Sequence, residues 1–141
     1  PDTLLPHPPL LPAVGRFSAG GAASCTACPA GHFQPSTGGA VCDQCPAGFF
    51  CASSGLAAVS GACPAGTYSG NASDTCASCP AGTLQATPGA AACAPCPGGA
   101  FCSEAGLSAV SGYCAPGSFA EPGSASCTEC AAGKYQTSTS R

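Results

Sequence analysis

Cysteine is the residue whose type and spacing carry the chemistry of this chain. It supplies 14 of 141 residues, and thiols at that density can oxidise in pairs, bind zinc or exchange electrons. Their order is periodic. Cys25, Cys28, Cys42, Cys45, Cys51 and Cys63 recur 51 residues later as Cys76, Cys79, Cys93, Cys96, Cys102 and Cys114, and Cys127 and Cys130 open a third copy. The pairs Cys25/Cys28, Cys42/Cys45, Cys76/Cys79, Cys93/Cys96 and Cys127/Cys130 have the spacing of zinc ribbons, but such ribbons belong mostly to reducing compartments. Each pair is better read as the end of one disulfide loop meeting the start of the next. A thioredoxin-like redox centre needs a βαβ setting that this Gly- and Pro-rich chain lacks. The thiols therefore point to a tandem disulfide array, with no metal and no cofactor expected.

A smaller repeat sets the elements that carry these cysteines. Cys28, Cys45, Cys63, Cys79, Cys96, Cys114 and Cys130 are each followed at the third residue by Gly31, Gly48, Gly66, Gly82, Gly99, Gly117 and Gly133, and at the fifth by Phe33, Phe50, Tyr68, Leu84, Phe101, Phe119 and Tyr135. Pro29, Pro46, Pro64, Pro80 and Pro97 fix φ after the cysteine, and the glycine can take the positive φ of a type II turn. That turn is expected to fold the large side chain back onto a disulfide, where it supplies much of the buried apolar area. The fold class is thus small and disulfide-rich: an elongated tandem array of short β-ribbon and loop modules with almost no helix. Residues 1–11 form a Pro-rich segment, readable as extended polyproline II or as a linker. Residues 12–25 read as a degenerate module in which Pro12, Gly15, Phe17 and Cys25 stand where Cys63, Gly66, Tyr68 and Cys76 stand later. Cysteine-rich repeats follow at 25–75 and 76–126, and 127–141 begins a third, truncated one.

Spacing also suggests a pairing, though it does not fix one. Long turns separate Cys28 from Cys42, Cys63 from Cys76, Cys79 from Cys93 and Cys114 from Cys127, and these couples are paired first. Cys45 with Cys51 and Cys96 with Cys102 remain, which makes Gly55 to Gly61 and Gly106 to Gly112 disulfide-free connectors. Closing a loop of about 15 residues is worth roughly 3 kcal/mol in the chain-entropy model. Cys25 and Cys130 are left unmatched. A partner for Cys130 beyond Arg141 and a Cys25–Cys130 bond, within a chain or between chains, are both open.

Composition requires such staples. There is no Met or Trp, with six Phe and three Tyr, so little is available for a core. Nine charged residues giving a net charge of −3 exclude a basic nucleic-acid footprint. A surface so poor in charge suits cover by sugars or by other proteins. No apolar run of about 18 residues that could span a bilayer exists. The lack of an initiating Met suggests a processed or excerpted piece of a longer protein, whose anchor could lie elsewhere.

Cys63-Pro-Ala-Gly-Thr-Tyr followed by Cys76-Ala-Ser-Cys79, and Cys28-Pro-Ala-Gly followed by Cys42-Asp-Gln-Cys45, resemble the ephrin-receptor-like cysteine-rich repeat. The first loops also resemble the small disulfide modules of tumour necrosis factor receptor ectodomains. The Ala, Gly, Ser and Pro bias is similar to that of green-algal extracellular proteins, including flagellar mastigoneme and cell-wall components. The resemblance covers the chain from about residue 25 and implies extracellular architecture, not a ligand. The chain departs from the repeat in the short intervals Cys45 to Cys51 and Cys96 to Cys102, and in Ala115 and Ala131, which replace the proline.

Catalytic machinery is not visible. His7 and His32 have no plausible carboxylate and hydroxyl partners, and Asp2, Asp43, Asp74, Glu104, Glu121 and Glu129 are scattered. Asn71-Ala72-Ser73 is an N-glycosylation sequon, and the algal resemblance makes Pro8 and Pro9 candidate O-glycosylation sites. The expectation is a non-enzymatic structural subunit of an extracellular, glycosylated filament or matrix, located in secreted material or on a cell or flagellar surface. Its partners would be its own copies or other extracellular structural proteins and glycans. The alternative is a receptor or adhesion ectodomain binding an extracellular protein ligand.

Overall fold

A computed structural model describes residues 11–20 and 24–133. Among the described residues, fourteen two-residue strands pair in chain order into seven antiparallel hairpins. These are β1 (Arg16–Phe17) with β2 (Thr26–Ala27), β3 (His32–Phe33) with β4 (Asp43–Gln44), and β5 (Phe49–Phe50) with β6 (Gly61–Ala62). They continue with β7 (Thr67–Tyr68) and β8 (Ala77–Ser78), β9 (Thr83–Leu84) and β10 (Ala94–Pro95), β11 (Ala100–Phe101) and β12 (Gly112–Tyr113), and β13 (Ser118–Phe119) and β14 (Thr128–Glu129). The described residues contain no helix.

One turn opens every hairpin. In the fourth, the Thr67 amide donates to the Pro64 carbonyl at 3.1 Å while Gly66 takes φ 84°, the type II geometry. The same bond recurs from His32 to Pro29, Phe49 to Pro46, Thr83 to Pro80 and Ala100 to Pro97. It also forms from Arg16 to Ala13 and Ser118 to Ala115, so the turn depends on the glycine and not on the proline. The hydroxyls of Thr67, Thr83 and Ser118 reinforce it by donating to the same carbonyls at 2.7 Å.

Hairpins this short are not stable alone, and the structure joins them into one continuous stack. Three backbone hydrogen bonds cross each junction. Between the third and fourth hairpins, Gly48 N–H donates to Ser69 O at 2.9 Å, Cys51 N–H to Ser73 O at 3.0 Å, and Ala72 N–H to Cys45 O at 2.8 Å. Between the fifth and sixth the counterparts are Gly82 to Cys102, Gln85 to Leu107 and Gly106 to Cys79. The first junction repeats them as Gly15 to Gln34, Ser18 to Gly39 and Gly38 to Pro12. Each ribbon therefore satisfies the backbone groups of the next, which places the array among the quasi-one-dimensional repeat architectures.

Two sequence expectations change. Gly55 to Gly61 and Gly106 to Gly112 are not connectors between modules; they lie mainly in the loops of the third and sixth hairpins, ending in β6 and β12. Leu56 and Leu107 in those loops accept, through their carbonyls, from Gln34 and Gln85 of the preceding hairpin. The large side chains, moreover, flank the core and do not form its centre, Leu84 packing against Cys96, Ala100 and Cys102. Phe33, Phe50, Tyr68, Leu84 and Phe101 are half-buried and Phe119 is exposed, whereas Cys28, Cys45, Cys51, Cys63, Cys79, Cys96, Cys102 and Cys114 are fully buried. A two-residue ribbon is too narrow to cover a ring, so compact sulfur atoms fill the axis instead.

The loop residue that donates across the junction has positive φ in each case: Gly38, Gly55, Gly89, Gly106 and Gly123, and Ala72 at φ 58°. Alanine pays roughly 1–2 kcal/mol for that conformation. Ala72→Gly is expected to raise stability by about 1 kcal/mol, less the entropy glycine adds to the unfolded chain, measured as the shift in denaturant midpoint.

Candidate functional site: the disulfide axis and its flanking thiols

The cysteines line the axis of the stack because each opening cysteine from Cys28 to Cys96 precedes a turn whose glycine is buried, and its carbonyl accepts a backbone hydrogen bond from the next hairpin. Disulfides join Cys28–Cys42, Cys63–Cys76, Cys79–Cys93 and Cys114–Cys127 across the feet of the second, fourth, fifth and seventh hairpins. Cys45–Cys51 and Cys96–Cys102 serve the third and sixth. The Cα–Cα separations run from 5.6 Å in Cys63–Cys76 to 6.0 Å in the two short loops, inside the normal range for a disulfide.

The short loops have a structural cause. In the third and sixth hairpins, Ser60 and Ser111 occupy the place that a closing cysteine takes elsewhere, immediately before the second strand. Their hydroxyls accept from the amides of Ala52 and Ser103 at 2.9 and 3.0 Å, which ties the base of the hairpin loop without sulfur. The opening cysteine then bonds to the residue that follows the first strand, Cys51 or Cys102.

The position that residue occupies, six residues after the opening cysteine, is singled out by the sequence only where it is Cys51 or Cys102, and its role in the other hairpins is missed. It is Gln34, Cys51, Ser69, Gln85, Cys102 or Ala120 in successive hairpins. Its carbonyl accepts from the turn glycine of the preceding hairpin, and in all but Ala120 its amide is seen donating to the loop of the following one. The position is consequently enclosed, and its side chains are either nonpolar or internally bonded. Gln34 donates through Nε2 to Val41 O and accepts at Oε1 from Ser36 N–H at 2.9 Å, while Ser69 Oγ donates to Phe49 O at 2.8 Å. Among the described residues no buried side-chain polar atom is left unbonded. The signal available in the sequence was the shared offset from cysteine, hidden by the variety of side chains.

Cys25 and Cys130 are free thiols, each half-buried, at opposite sides of the disulfide-bonded stretch. Cys25 immediately precedes β2, where the closing cysteines of other hairpins sit, and Pro12 occupies the corresponding opening place. Cys130 follows β14 and its amide donates to Gly117 O at 2.8 Å. In the Cys-x-x-Cys pairs the two sulfurs do not act together, since Cys42 bonds to Cys28 while Cys45 bonds to Cys51. Among the described residues no three His, Cys, Asp or Glu side chains converge as a metal site. His32 lies at a hairpin foot, with Nδ1 at 3.5 Å from Ala30 O. Asn71 is exposed in the loop of the fourth hairpin, its Oδ1 accepting from Ala47 N–H at 3.0 Å. His7, Pro8 and Pro9 lie outside the described residues, as do Tyr135 and the remainder of 134–141.

The turn-glycine ribbons and their stapled feet coincide with a family model, described as tyrosine-protein kinase ephrin type A/B receptor-like, that matches twice, over residues 15–60 and 66–111. The chain belongs to the ephrin-receptor-like cysteine-rich family. The two matches begin at turn glycines, Gly15 and Gly66, one 51-residue period apart. An ephrin-receptor-like unit is an extracellular kind of cysteine-rich module and not a catalytic domain. No curated protein matches the chain. No helix among the described residues is long and apolar enough to cross a membrane.

Proposed function

We propose that this ephrin-receptor-like array is a non-enzymatic structural subunit of an extracellular filament or matrix, in contact with its own copies or with other structural proteins and glycans. The observation that carries the reading is the repetition of the same three backbone hydrogen bonds from hairpin to hairpin, with disulfides along the axis. Such a stack gains length without changing its local structure, and the disulfides resist opening outside the cell. Scarcity of charge leaves few self-repelling groups on its surface. The half-buried thiols of Cys25 and Cys130 supply two positions where neighbouring chains can be joined covalently.

The test is a non-reducing peptide map of native material together with electron microscopy of the same preparation. Filaments, with Cys25 or Cys130 found in an interchain bond, are the expected result. Native material consisting only of dilute monomers would sink the proposal. A monodisperse chain that captures an extracellular protein would support the ectodomain reading in its place.

A further inference from the structure

We infer that Asn71 carries an N-linked oligosaccharide, so that the fourth hairpin displays a glycan at its loop. The inference rests on the chain being extracellular and is independent of whether it forms a filament. Asn71-Ala72-Ser73 is the chain's one Asn-x-Ser/Thr sequence. The fold could have buried it, as it buries Gln34 and Ser69, yet Asn71 is exposed.

The geometry assigns different tasks to the two ends of the amide. Oδ1 is used by the fold, accepting from Ala47 N–H at 3.0 Å, a residue 24 positions earlier in the turn that opens the third hairpin. This contact anchors the side chain, while no hydrogen bond is seen for Nδ2, the atom that would carry the sugar. An N-glycosyl amide retains its carbonyl oxygen as an acceptor, so attachment at Nδ2 leaves the bond to Ala47 intact. The backbone beside it is engaged too. Ala72 N–H donates to Cys45 O and Ser73 O accepts from Cys51 N–H, and Ser73 Oγ donates to Gly70 O at 2.8 Å. A sugar placed here therefore extends from a rigid loop.

The transfer requires a lipid-pyrophosphate-linked oligosaccharide of the secretory pathway as donor. Nδ2 forms a bond to the anomeric carbon, the bond from that carbon to the phosphate oxygen breaks with its electron pair leaving on the lipid pyrophosphate, and one amide proton is released. The nascent chain is the acceptor, and the exposed position of Asn71 lets the hairpin close afterwards with the glycan outside.

The competing explanation is that Asn71 is present only for its bond to Ala47. Native secreted protein is digested, treated with an amidase that releases N-glycans in heavy-oxygen water, and read by mass spectrometry. Conversion of Asn71 to Asp bearing one heavy oxygen is expected. In secreted recombinant protein, Ser73→Ala keeps the Asn71 amide but removes the acceptor sequence, and Asn71→Asp keeps an acceptor oxygen for Ala47. Both are expected to lose the glycan mass completely, whereas Ser73→Thr keeps it. An unmodified Asn71 peptide throughout native material, or a Ser73→Ala protein of undiminished glycan mass, overturns the inference.

Discussion

Replacing Gly48 by alanine is expected to destabilise the stack by at least about 3 kcal/mol, through two separable effects. The first is conformational: Gly48 has φ 86°, where an L-residue loses roughly 1–2 kcal/mol. The second is steric. A Cβ on Gly48 would overlap the carbonyl oxygen of Gly89, which belongs to the loop of the fifth hairpin, two units further along. Neither partner can yield by turning a side chain, because both are backbone. Displacement would also strain the Gly48 N–H bond to Ser69 O and the bond that Gly48 O accepts from Cys63 N–H.

Two other glycines isolate these terms. Gly117 has φ 91° but a Cβ there would meet nothing within 4 Å among the described residues, so Gly117→Ala should show the conformational term alone, about 1–2 kcal/mol. Gly70 is exposed and also open, without positive φ, and Gly70→Ala should stay within about 0.5 kcal/mol. Denaturant unfolding with disulfides intact measures all three. Equal losses at Gly48 and Gly117 would show that the fifth hairpin does not cover the third in solution.

That covering contact marks the limit of what the sequence discloses. The 51-residue period, the turn glycines and the ribbon fold class are legible because each has a local cause: a cysteine spacing, a φ requirement, an alternating turn and strand. The family follows from the same local motif. Contacts between units are not legible, since they run through backbone groups. Leu56 O serves Gln34 N–H and Ser73 O serves Cys51 N–H, and nothing in a leucine or a serine announces that role. For the same reason Gly55 to Gly61 reads as a connector when its loop is one of the rungs. The large motif side chains are legible only in part: Leu84 does lie against Cys96 and Cys102, but the centre of the stack is filled by cystine and by smaller side chains such as Ala100.

Pro12→Cys is expected to close a further disulfide, to Cys25, and to stabilise the first hairpin. Pro12 is buried in the place where an opening cysteine sits in later modules. Its carbonyl accepts from Gly38 N–H at 2.7 Å, as Cys28 O accepts from Gly55 and Cys63 O from Gly89. The interval to Cys25 equals the sequence separation of 13 in Cys63–Cys76 and Cys114–Cys127. Loop closure of this size contributes about 3 kcal/mol in the chain-entropy model. Removing proline returns up to about 1 kcal/mol of freedom to the unfolded chain, so a net gain of about 2 kcal/mol is expected. Non-reducing mass spectrometry should find two hydrogens fewer than in the reduced protein for this pair, with neither thiol open to alkylation. Persistent alkylation of both thiols would show that the first hairpin does not share the register of the others. The substitution also bears on assembly: if Cys25 joins neighbouring chains, satisfying it internally removes that link, and material held together through Cys25 should release as monomers under non-reducing conditions. Material joined by Cys130–Cys130 bonds would remain assembled, whereas Cys25–Cys25 and Cys25–Cys130 bonds would both be lost, so one variant both completes the first hairpin and shows whether Cys25 takes part in holding the chains together.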